Sequence, residues 1–302
     1  MDSTRQTPIT RQQVAAFLKP RARDSHKGTF GTVTIIGGAS GMVGAALLAG
    51  RAALKMGAGC VHVGLLAENA PAVDLLQPEL MLQGASEALK GVSRPNLPRV
   101  GEGEKAKQTA SSHVLVIGCG LGQSLAAQKL LYDALRLEVP LVLDADALNL
   151  LALRPDLRSM LHPRKAPAVF TPHPGEAARL LGCSTEAVQN DRARAALSLV
   201  QKLGGSVVLK GAGSLCATQN GKLYLNQTGN PGMGAAGMGD VLAGMIAAFI
   251  AQGLTADEAL LLAVHLHGAA GDALAEQVAT LGMSATEVTE WARWLLNQMA
   301  SR

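Results

Sequence analysis

Between Gly229 and Gly239 the chain places five glycines in eleven residues, with Asp240 directly behind them and an apolar helical run over residues 241–251 after that. Glycines let successive backbone N–H groups converge on one point, and the following helix aims its free N-terminal donors and positive dipole end at the same point. The chemistry this suits is anion binding, a phosphate above all, with a carboxylate at hand to accept a proton. Asp240 could also be a helix cap and nothing more. The glycine density argues for a ligand: a cap needs one flexible residue before it, and each further glycine costs about 0.5–1 kcal/mol relative to alanine.

Other chemistry-bearing residues fall at the ends of apolar runs. Thr171-Pro172-His173-Pro174-Gly175-Glu176 follows one such run; the prolines freeze a turn that holds His173 at a strand end and puts Glu176 in the first turn of a helix. Either both residues face a ligand, or Glu176 complements the helix dipole and His173 is a solvated loop residue. Asp144 and Asp146 close another run: one can cap the next helix, and the other is suited to magnesium or a ribose hydroxyl, with capping alone an equal alternative for Asp146. Two glycine clusters, one over residues 37–41 with Ala39 in it and one over 118–122 with Gly120 and Gly122, resemble backbone anion nests or plain strand-to-helix turns. Lys210-Gly211-Ala212-Gly213-Ser214 offers a cation and flexible backbone at a further strand end, or a simple turn.

Residues 232–237 match G-x-G-x-x-G, yet a dinucleotide fingerprint requires a strand after its helix, and residues 254–277 read as another helix. No G-x-x-x-x-G-K-[ST] occurs, and no Lys or Arg lies between Gly229 and Ala256, so phosphate chemistry here is expected to rest on backbone donors and a metal. His265 and His267, two apart on a helix, do not share a face.

The elements that must position these residues follow an α/β rhythm. β-Branched runs at 32–36, 60–63, 113–117, 140–143, 168–170 and 206–209 leave room for helices between them, such as 45–55 and 124–136. Apolar runs of this kind predict a parallel sheet buried on both faces. Runs at 215–218 and 223–225 flank an Asn-Gly turn and predict a closing antiparallel hairpin, and three helices are expected over 240–252, 255–277 and 285–300. Residues 90–110, with two prolines and three glycines, read as a surface excursion.

With 302 residues, 48% hydrophobic and 17% charged, the chain can fill one large core. Its longest apolar run is too short to span a bilayer, which takes about 20 helical residues, and the polar N-terminus lacks the apolar block of a secretory signal; no membrane partner and a cytoplasmic location are the expectations. Aromatic residues make up only 3% and the basic residues are scattered despite a net charge of +4, which argues against nucleic acid. Cys60, Cys119, Cys183 and Cys216 are far apart and point to neither disulfides nor zinc.

Taken in order, residues 26–31 (HKGTFG), Ile36-Gly37-Gly38, Asp144-Ala145-Asp146-Ala147-Leu148, the motif at 171–176, Lys210-Gly211 and Gly239-Asp240-Val241-Leu242-Ala243-Gly244 closely resemble the ADP-dependent NAD(P)H-hydrate dehydratase family of the ribokinase-like superfamily. The resemblance spans about residues 10–300. It implies a three-layer α/β/α sandwich with a mostly parallel central sheet ending in antiparallel strands, as one domain over 1–302 with residues 1–9 a flexible N-terminus. It implies removal of water from the S epimer of hydrated NADH or NADPH, with ADP, or ATP, as co-substrate, AMP and phosphate released from ADP, and magnesium required. By the same resemblance Asp240 is the base; Ala39, Gly120, Gly122 and His173 bind the hydrate; Lys210, Gly211, Ala212, Gly213 and Ser214 bind the nucleotide, with Gly237 and Gly239 at its phosphates; no protein metal ligand is assigned, and a homotetramer is implied. Met238 and Cys119 depart from the family pattern, which often has threonine and proline there. A small-molecule kinase acting on a vitamin precursor is the alternative, since sister families use the same cradle.

Overall fold

The computed structural model describes residues 5–92 and 113–300. Ten strands form one sheet: β1 (Gln6–Pro8), β2 (Thr32–Gly37), β3 (Cys60–Leu65), β4 (Met81–Gly84), β5 (His113–Ile117), β6 (Leu141–Leu143), β7 (Ala168–Phe170), β8 (Ser206–Leu209), β9 (Leu215–Ala217) and β10 (Leu223–Leu225). Their order is β1-β10-β9-β8-β7-β6-β5-β2-β3-β4. Pairing is parallel from β4 through β8 and antiparallel at β8–β9 and β9–β10.

Alternation along each central strand divides the core in two. Val33 and Ile35 of β2 and Val114 and Val116 of β5 face one side; Ile36, Leu115 and Ile117 face the other. The first side is covered by the helices Val43–Lys55, Met238–Ala251, Ala256–Gln277 and Ala285–Ala300, the second by Ala85–Val92, Leu125–Leu135, Ala145–Leu153, Pro174–Leu181 and Arg192–Leu203. That is the expected three-layer α/β/α sandwich. The chain reverses direction across the sheet between β2 and β5, and ligands of open α/β sheets bind beyond the carboxyl ends of the strands at such a point.

Two expectations differ from the structure, and one strand was not expected. Residues 6–8, expected in a flexible N-terminus, form β1, pairing parallel with β10 at Gln6–Leu223, Thr7–Tyr224 and Pro8–Leu225. An exposed three-residue edge strand carries no apolar alternation by which to find it. Residues 90–92, placed at the start of a surface excursion, end the Ala85–Val92 helix with Val92 buried; the rest of that stretch lies outside the described residues. β4, on the opposite edge, was not foreseen.

Candidate active site

The helix Met238–Ala251 starts at Gly237, which sits at φ 89° with no side chain capping the turn. A side chain there would be strained, and its Cβ would lie 2.6 Å from Leu48 Cδ1. The amide of Val241 bonds the Gly237 carbonyl at 3.0 Å, whereas those of Gly239 and Asp240 have no acceptor among the described residues. An uncapped start with free amides on a 14-residue helix has the donors and the dipole end that suit an anion.

Asp240 is neither turned into the core nor fully exposed. Burial, then the charge of Asp144, pushes its carboxyl up to about 7, against the opposing pull of the Cys119 thiol and the Lys210 ammonium. Ligand atoms of Cys119, Asp144 and Asp240 all lie within 4.8 Å of one another. Cys119, one of the two departures from the family pattern, is fully buried, and burial and the neighbouring Asp240 hold its thiol protonated. Met238, the other, packs into the core.

Asp144 occupies the N-cap position of the Ala145–Leu153 helix but makes no capping bond. Its Oδ1 accepts from Lys210 Nζ at 2.8 Å and from Thr171 Oγ1 at 2.7 Å. The turn depends on Ala145, which at φ 47° is the sole non-glycine residue of positive φ among the described residues. Such a conformation costs about 1–3 kcal/mol and marks places where a site over-determines the backbone. Lys210 is one-fifth exposed and Asp144 2% exposed. Burial lowers the lysine pKa, but the charges of Asp144 and Glu176 outweigh it and the net direction is up, so the ammonium stays charged.

Lys210 adds a cation to the backbone donors and metal on which phosphate chemistry was expected to rest. A Cβ on Gly239 would lie 3.0 Å from Lys210 Nζ, so β8 delivers to the helix start the positive charge that its own sequence lacks.

Three of the residues expected to bind the hydrate, Ala39, Gly120 and Gly122, gather at the β2/β5 reversal. Ala39 N donates to Gly120 O at 2.7 Å, and Gly38 N to Cys119 O at 3.0 Å. A Cβ on Gly122 would sit 3.6 Å from that of Ala39. The Gly122 amide donates to Asp146 Oδ2 at 2.8 Å, so the Asp146 carboxylate holds this turn from the neighbouring strand end.

His173 caps the Pro174–Leu181 helix: its Nδ1 accepts from Gly175 N at 3.0 Å, while the Glu176 carboxylate accepts from His173 N at 2.8 Å. Glu176 is a buried capping partner, and His173 is a half-exposed cap whose Nε2 stands 3.3 Å from Glu176 Oε1. Burial and the nearby Lys210 lower the imidazole pKa, keeping it neutral.

A cleft of about 480 Å³ runs from the helix start between residues 210–214 and 226–234. Lys210, Gly211, Ala212, Gly213, Ser214 and Gly239 line it; Asp240 follows directly, while Ala39, Gly120, Gly122, His173 and Gly237 lie outside its lining. His267, set aside in the sequence, also lines the cleft, with burial and Lys210 lowering its pKa to about 4. Its Nε2 has no hydrogen-bond partner among the described residues. Nothing in its spacing signals this placement.

The sheet reversal, the strand-end glycine turns and the uncapped helix led by Gly237 define a ribokinase-like α/β protein. The sequence profile of the NAD(P)H-hydrate dehydratase family matches residues 33–293. The chain is 39% identical over 302 residues to the ADP-dependent (S)-NAD(P)H-hydrate dehydratase of Neisseria meningitidis, covering 99% of this chain and 96% of that protein. It is 41% identical over 291 residues to the bifunctional NAD(P)H-hydrate repair enzyme of Escherichia coli, covering 95% of this chain and 51% of the relative; the chain thus spans about half the length of that bifunctional protein. Among solved structures, the ADP/ATP-dependent NAD(P)H-hydrate dehydratase of Bacillus subtilis, co-crystallised with ATP/Mg2+, superposes with a TM-score of 0.82 at 31% identity, covering 97% of this chain and 99% of that one. The chain belongs to the NAD(P)H-hydrate dehydratase family.

Proposed function

We propose that this protein dehydrates the S epimer of NADH hydrate and NADPH hydrate with ADP, releasing AMP and phosphate and restoring the reduced nicotinamide. The observation that carries this is the meeting of an uncapped helix start with the Lys210 ammonium, both on the cleft lining, and with the Asp240 carboxylate next to them beside Asp144. Its relatives' named activities point the same way.

In this reading Asp240, with a pKa near 7, takes the proton of the hydrate's hydroxyl. The freed oxygen attacks the terminal phosphoryl of ADP and AMP leaves. The amides of Gly239 and Asp240 and the Lys210 ammonium stabilise the charge on the transferring group. Phosphate then leaves the ester with the electrons of its C–O bond while the neighbouring ring carbon gives up a proton, which regenerates the double bond. Ala39, Gly120, Gly122 and His173 hold the hydrate, and Lys210, Gly211, Ala212, Gly213 and Ser214 the nucleotide, with Gly237 shaping the loop at its phosphates.

The donor set suits a hard cation held jointly with phosphate oxygens: the free oxygen of Asp144 and the carboxylate of Asp240 offer hard ligands, while the protonated Cys119 thiol does not. Magnesium bound there would neutralise phosphate charge.

A homotetramer in the cytoplasm completes the proposal. The exposed Trp294, Val278 and Leu281 near the end of the helical layer offer apolar surface for assembly. No helix among the described residues is long and apolar enough to cross a membrane.

The test is recovery of dihydronicotinamide absorbance from hydrated NADH and NADPH with magnesium and either ADP or ATP, with phosphorus NMR of the products. Recovery with stoichiometric inorganic phosphate is expected. A stable phosphorylated product without recovery would instead identify a small-molecule kinase.

A further inference from the structure

The loop at residues 210–214 has its carbonyls and amides sorted onto opposite sides. Arg192, the first residue of the Arg192–Leu203 helix, donates from Nη2 to the carbonyls of Leu209 at 3.1 Å, Lys210 at 3.3 Å and Gly213 at 3.3 Å. Its Nη1 bonds Gln189 Oε1 at 3.0 Å, and it makes no ion pair among the described residues. Ser214 Oγ holds the Gly211 carbonyl at 2.9 Å, and Asn226 N holds that of Ser214 at 2.9 Å. Against this, the amides of Gly211, Ala212, Gly213 and Ser214 donate to no acceptor among the described residues.

Because C=O and N–H of a trans peptide point in opposite directions, fixing the Lys210 and Gly213 carbonyls on the guanidinium turns the Gly211 and Ser214 amides away from it. The Ser214 hydroxyl does the same for the Ala212 amide. Residues 210–214 line the cleft and Arg192 does not, so Arg192 acts from behind the loop. We propose that Arg192 is the positioning residue of the nucleotide loop: its fork gathers the loop's carbonyls on the far side and thereby presents a row of free amides to the nucleotide's phosphates and ribose. This rests on the reading of residues 210–214 as the nucleotide site. Lysine cannot replace the fork, since an ammonium is a compact charge on a flexible stem.

The experiment compares the full-length protein with Arg192→Ala and Arg192→Lys, measuring ADP affinity by calorimetry, KM for ADP, KM for the hydrate, kcat and Tm without nucleotide. In both variants ADP Kd and KM are expected to rise about tenfold, the equivalent of 1.4 kcal/mol, with kcat at saturating ADP and KM for the hydrate within about threefold of wild type. A merely structural role would lower Tm without that split between KM and kcat. If Arg192→Ala fails to fold, the Arg192→Lys values decide. Wild-type KM for ADP in a folded variant overturns the proposal. Hydrogen exchange of the wild-type 211–214 amides separates the two levels. Slowing on ADP addition is expected; exchange unmoved by saturating ADP would remove the nucleotide from this loop and overturn the underlying reading whatever the variants do.

Discussion

At the scale of single residues, the account turns on how burial and neighbours set charge at Asp240. A base raised to about 7 is half-ionised near neutrality, so kcat/KM is expected to fall about tenfold per pH unit as the pH drops below 7, measured with hydrate and ADP both varied. The same shift bears on stability. Because the folded-state pKa lies above the ordinary 3.8, the native state retains a proton that the unfolded chain releases, and the stability this gives is present below 3.8 and lost as pH rises through about 7. Asp240→Asn should therefore raise Tm at pH 8, by about 2–4 °C for each kcal/mol relieved, and raise it less at pH 5. An equal Tm change at both values would show that the carboxylate is not held above its ordinary pKa. Lys210→Met has the opposite sign: it leaves Asp144 charged and nearly inaccessible. The expected cost is roughly 3 kcal/mol, the low end for a broken buried pair because the lysine keeps some exposure, read from denaturant unfolding.

At the scale of elements, the helix Met238–Ala251 is aimed by its packing on Val43–Lys55. A Cβ on Gly244 would lie 2.1 Å from the Ala49 carbonyl oxygen, so the two helices touch backbone to backbone at that point. Gly244→Ala should push them apart, costing about 1–3 kcal/mol in stability and lowering kcat more than it raises KM for the hydrate, because the helix start moves relative to β6 and β8. Unchanged Tm and kcat in that variant would mean the crossing has slack. Most of this level was legible in sequence. Central strands such as β2 and β5 are apolar on both faces, and glycine clusters mark their carboxyl ends, so periodicity and turn chemistry agree there. β1 and β4 were not legible, because edge strands facing solvent need no apolar pattern. The Lys210–Asp144 pair was equally hidden: its partners are 66 positions apart, and only the adjacency of β6, β7 and β8 brings them together. Asp146 shows the same limit, since its bond to the Gly122 amide depends on a neighbouring strand end rather than on its own helix.

For the whole molecule, the sandwich sets two sites along one edge of the sheet. In the proposed reading Ala39, Gly120 and Gly122 hold the hydrate at the β2/β5 reversal, with His173 beyond β7, and residues 210–214 hold the nucleotide between β8 and β9, with Asp144 and Asp240 between the two. This division predicts that ADP alone stabilises the fold by mass action, about 2.7 kcal/mol at a hundredfold excess over Kd, seen as a rise in Tm that saturates with nucleotide. Absence of any rise at millimolar ADP with magnesium would argue against a preformed nucleotide cleft. The most direct test of the central claim, that Asp240 deprotonates the substrate alcohol for phosphoryl transfer, is the absorbance-recovery rate of Asp240→Asn against wild type at saturating hydrate, ADP and magnesium. The account predicts a loss of roughly 10²–10⁴-fold in kcat with ADP still bound; turnover near the wild-type rate would contradict it.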